Sequence, residues 1–80
     1  MPTILFIFGF RFLIYTRDHK PPHIHAIKNV GGAKIGIYPN VYLIENKGLS
    51  PKELKTVMSI TEEYQEEFLE KWIEYHGEIN

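Results

Sequence analysis

Cysteine is absent from this 80-residue chain, which excludes a disulfide framework, a thiolate metal site and a cysteine nucleophile, and suits a reducing compartment. A cytoplasmic location is the corresponding expectation. Long apolar runs are missing too. Met1-Pro2-Thr3-Ile4-Leu5-Phe6-Ile7-Phe8 has no positively charged lead and Arg11 soon follows it; even through Tyr15 the stretch falls short of the roughly 20 residues a spanning helix needs. It therefore reads as a buried strand, and no membrane span is expected. There is no internal repeat, low-complexity tract or linker-like segment. The length is that of one domain, residues 1–80, near the lower limit for folding around a single core.

Net charge is only -1, but the two halves differ in sign. Residues 1–44 carry Arg11, Arg17, Lys20, Lys28 and Lys34 against Asp18 alone, whereas residues 45–80 carry four lysines against nine glutamates. A basic face able to meet phosphates, RNA or an acidic partner is expected opposite an acidic face that repels nucleic acid. Much of that charge needs no partner, because charged helix faces are ordinarily just solvated.

Residues 3–8 and 10–15 are rich in Ile, Phe, Leu and Tyr with Gly9 between them, which predicts two strands joined by a tight bend. Phe10, Phe12 and Ile14 alternate with Arg11, Leu13 and Tyr15, so the first set makes a wholly apolar face. His23–Lys28 predicts a third strand, Asn29-Val30-Gly31-Gly32 a turn, Ala33–Tyr38 a fourth strand and Val41–Glu45 a fifth. Ser50, Pro51 and Glu53 form a helix entry with a capping box. Leu54, Val57, Met58, Tyr64, Phe68, Leu69 and Trp72 then recur at three- and four-residue spacing, predicting one helix to about residue 75 with Gly77 as its terminator. Glu67 and Lys71 are placed for an i,i+4 ion pair. The expected architecture is α+β: an antiparallel meander of four to five strands over residues 1–45, covered by a C-terminal helix within residues 50–76.

Chemistry concentrates in Asp18-His19-Lys20-Pro21-Pro22-His23-Ile24-His25, which holds three of the four histidines. In a strand His23 and His25 project to the same side, and the paired prolines stiffen the approach to them.

The opening Met1-Pro2-Thr3-Ile4, the Arg11-Phe12 strand, the double-proline histidine run, Gly48-Leu49-Ser50 followed by Glu53-Leu54, and Trp72-Ile73-Glu74-Tyr75-His76-Gly77 together resemble a widespread prokaryotic family, domain of unknown function 4160. The resemblance covers nearly the whole chain in order. It implies a short protein of no established activity, with relatives often encoded beside another small protein in an arrangement like that of toxin and antitoxin pairs.

Three readings of the histidine segment are open, with an interaction module leading. In that reading Arg17, Asp18, Lys20, Pro21, Pro22 and the histidines form a surface for a small partner protein; a short chain also gains buried surface by pairing with itself as a homodimer. The second is a metal-independent ribonuclease, with His23 and His25 as acid and base, His19 as auxiliary and Arg11, Arg17 or Lys20 as the cation beside the phosphate. No cofactor is expected in either. The third is a divalent metal site, zinc or nickel, on His23 and His25 with His19 or Asp18 as the third ligand. Beside these stands a purely structural role, in which the histidines satisfy backbone groups freed around the prolines. His76 reads as a helix C-terminal cation, and Trp72 as core.

Overall fold

The computed structural model describes residues 3–29 and 31–77. Its strands are β1 (Thr3–Ile7), β2 (Phe10–Leu13), β3 (His23–Lys28), β4 (Gly31–Gly36) and β5 (Tyr42–Lys47), followed by helices α1 (Pro51–Glu63) and α2 (Gln65–His76). Each strand pairs antiparallel with its chain neighbour, so the sheet order is β1-β2-β3-β4-β5, the expected meander. No helix among the described residues is long and apolar enough to cross a membrane.

Alternation decides which side chains meet the helices. Phe10, Phe12, Ile14, Ile24, Ala26, Ala33, Ile35 and Ile37 bury one face of the sheet against Leu49, Val57, Ile60, Phe68 and Trp72. Phe12 and Phe68 stack with centroids 5.7 Å apart. Full burial of an aliphatic or phenyl side chain of this kind contributes about 1.5–3 kcal/mol. The other face carries a row formed by Leu13, His25, Lys34 and Glu45, each the register partner of the next.

Strand limits differ from expectation where turns are tighter than they read. Phe8 and Gly9, both at positive φ (54° and 82°), close the first hairpin in two residues, so Phe8 belongs to the turn rather than to β1. β2 stops at Leu13, although the buried Ile14 continues its apolar face. β4 begins at Gly31 rather than Ala33, because Gly31 pairs directly with Lys28. The absence of a side chain at Gly31 suits this position, since a Cβ there would lie 3.2 Å from the Gly48 carbonyl oxygen. Val30 of the expected turn lies outside the described residues. β5 starts one residue late, at Tyr42, and runs on to Lys47.

The capping box forms as expected: Glu53 N–H donates to Ser50 Oγ (3.1 Å) and Ser50 N–H to Glu53 Oε1 (2.9 Å). The expected single helix is instead two segments, broken at Tyr64 (φ -106°, ψ 19°). An uninterrupted helix over this span would be roughly 39 Å long, more than the molecule's longest extent of 33 Å. Gln65 fixes the break by donating its side-chain N–H groups to the carbonyls of Ile37 (2.8 Å) and Pro39 (3.2 Å). The bend lets both Val57 and Phe68 reach the sheet, and buries Ile60 and Thr61, which the single-helix stripe omits. Lys71 pairs with Glu74 (3.4 Å) rather than following the expected Glu67 pairing. Gly77, at φ 83°, ends α2 as expected and donates to the Ile73 carbonyl.

Candidate metal centre

The connection from β2 to β3 builds the site. Its first turn closes on itself: Asp18 N–H donates to the Tyr15 carbonyl (3.1 Å), and Tyr15 N–H returns a bond to Asp18 Oδ2 (3.0 Å). These bonds hold the Asp18 carboxylate in place. At the second bend, where the Lys20–Pro21 peptide is cis, Pro22 accepts from Ile37 N–H (3.1 Å) and Pro21 lies 2.8 Å from His23 Nδ1. Because a carbonyl only accepts, Nδ1 carries the proton and, in neutral His23, Nε2 bears the lone pair.

That lone pair sits in an unusual place. His23 is 2 % exposed, and its Nε2 is one of two buried side-chain atoms among the described residues with no hydrogen-bond partner. It lies 3.4 Å from Asp18 Oδ1, a separation that suits an ion pair if His23 is protonated but sets acceptor against acceptor if it is neutral. His25 Nε2 stands 3.2 Å from Asp18 Oδ2 and 3.3 Å from Oδ1. The two imidazoles contact edge to face at 5.0 Å. Ligand atoms of Asp18, His23 and His25 all lie within 4.8 Å of one another.

His25 is less buried than His23, and its pKa is lowered from the ordinary 6.5. Burial is the main cause; the neighbouring Asp18 charge opposes it without overcoming it, and His23 and Lys34 push further down. A neutral ring is the form that binds metals, and a metal at Nε2 would replace the proton that this nitrogen donates to the Asp18 carboxylate.

The remaining candidates are placed differently. His19 and Lys20 are exposed and border a pocket with Asp18, Trp72 and His76. Arg17 is exposed in the connecting loop. Arg11 is exposed on β2, paired with Phe6 and Ile27 in the row beside that of Leu13 and His25. The convergent group thus takes Asp18 as its third member, the choice that the spacing leaves open between Asp18 and His19.

Sequence reasoning gives His76 no part here, yet its ring lies 4.0 Å from Trp72, which in turn lies 5.4 Å from His23. The signal was the four-residue spacing of Trp72 and His76, which puts both on one helix face.

No curated protein and no solved structure matches the chain. The strand carrying Arg11, the segment that gathers Asp18, His23 and His25, and the capped helix entry all fall within residues 9–73, the span matched by the model of Domain of unknown function (DUF4160), and the chain belongs to that family.

Proposed function

We propose that this protein binds one divalent transition-metal ion, zinc or nickel, through Asp18, His23 and His25, leaving coordination positions for water or an external ligand. The observation that carries the reading is the buried, unpartnered Nε2 of His23 facing a carboxylate oxygen at 3.4 Å. A cation between the ring nitrogen and the carboxylate gives each of them a partner.

Dimensions support it. Atoms about 2.0–2.1 Å from a tetrahedral zinc ion lie roughly 3.4 Å apart, close to the 3.2 and 3.4 Å that separate Asp18 from the two imidazoles. The Pro21 carbonyl supplies the outer hydrogen bond that metal-ligating histidines ordinarily make.

A phosphodiesterase role for the same imidazoles draws less support, since the carboxylate between them repels a phosphate. A partner-recognition role for His23 draws less again, as 2 % exposure leaves almost no surface to touch.

The experiment uses untagged, chelator-treated protein titrated with Zn²⁺ and Ni²⁺ by calorimetry, with bound metal measured after dialysis. One equivalent per chain and a raised melting temperature are expected. A chain that retains no metal after dialysis and melts unchanged overturns the proposal.

A further inference from the structure

The second buried nitrogen without a partner is His76 Nε2. Its ring and that of His23 both pack on the same indole, at 4.0 and 5.4 Å from Trp72. Buried polar atoms are ordinarily paired, and a metal at the centre accounts for His23 but not for His76. His76 borders the pocket that includes Asp18, His19, Lys20 and Trp72, so the pocket and the centre share the Asp18 carboxylate.

Charge sets what this pocket accepts. With Asp18 uncompensated, the carboxylate and the carbonyl end of α2 both disfavour an anion. A divalent ion on Asp18 reverses the local sign. The pocket then presents the ion together with the ring nitrogens of His19 and His76.

Resting on the metal reading above, we propose that this pocket binds a small oxyanion as the centre's external ligand, with His76 Nε2–H as its buried hydrogen-bond donor. The shared chemistry is an anionic oxygen, whether from a tetrahedral group or a planar carboxylate.

Trp72, the chain's one tryptophan, reports on the pocket directly. Zn²⁺ is titrated into the metal-free protein in sulfate, acetate or chloride at equal ionic strength, following tryptophan fluorescence and bound zinc. Zinc affinity should rise about tenfold in sulfate or acetate over chloride, and the stronger anion identifies a tetrahedral or planar preference. His76→Phe keeps a ring on Trp72 but no nitrogen; it should bind zinc in chloride as the wild type does and lose the anion effect. His76→Gln, which restores an N–H, should recover part of it. Zinc binding with no anion effect, or an effect that survives in His76→Phe, overturns this inference alone. Failure to bind zinc in any buffer overturns the metal reading, and this one with it.

Discussion

His23 Nε2 and Asp18 Oδ1 stand 3.4 Å apart with no hydrogen bond between them, while the opposite nitrogen of the same ring is tied to the Pro21 carbonyl at 2.8 Å. One side of the imidazole is tied to the backbone, and the other faces the Asp18 carboxylate.

His23→Asn separates these two functions, since the asparagine amide retains a donor near Nδ1 and removes Nε2. Loss of an outer-shell partner typically costs a site 10- to 100-fold in metal affinity, so removal of a ligand should cost at least about a hundredfold in a zinc titration. The metal-free protein should lose only about 1–2 kcal/mol from the smaller side chain, read by urea unfolding. Undiminished zinc affinity would remove His23 from the centre.

Asp18→Asn keeps an acceptor for Tyr15 N–H and discards the charge. The attraction that partly offsets burial at His25 disappears, so the ring should titrate lower still, and zinc binding should be lost. An NMR titration of the His25 ring checks the first point; a rise in its pKa would contradict the assigned cause.

The pH dependence of stability follows from the same ring. His25 titrates below 6.5 in the native state, so the unfolded chain takes up its proton first as the medium is acidified. The stability this provides is complete above 6.5 and is lost as pH falls through the lower native value. Melts of metal-free protein from pH 7 to 5 should therefore show a falling melting temperature, with the drop reduced in His25→Gln. Identical slopes in the two proteins would refute it.

At Gly36 an added Cβ would overlap the Tyr42 ring on the neighbouring strand. Gly36→Ala should destabilise by about 1–3 kcal/mol. Tyr42→Ala should relieve most of that in a double-mutant cycle; additive losses would place the strain elsewhere.

Helix entry offers a control remote from the site. Ser50→Ala breaks one arm of the capping box and should cost about 1 kcal/mol, measured by urea unfolding, with zinc affinity unchanged.

Period-two alternation in β2 and β3 and the Ser50–Glu53 cap were legible because local periodicity and hydrogen bonding set them. The break at Tyr64 was not, since its anchor is a contact from Gln65 to the Ile37 and Pro39 carbonyls, more than twenty-five positions away in the chain. The closeness of His23 and His25 followed from strand geometry. The choice of Asp18 over His19 did not, because it depends on a turn that closes through the Asp18 side chain itself. The place of His76 is not legible for a related reason: it depends on Trp72, which reads as core and is core (1 % exposed), and only the packed molecule puts that indole against His23.

All three proposed ligands come from the eight consecutive positions Asp18 to His25. An ion joining them closes a very short loop, and closure entropy grows only with the logarithm of loop length, so even the denatured chain keeps part of this chelating power. Thermal stabilisation by zinc should accordingly fall short of what its affinity for the native protein implies, and metal capture by the nascent polypeptide can begin as soon as the β2–β3 connection emerges, before the helices exist to cover it.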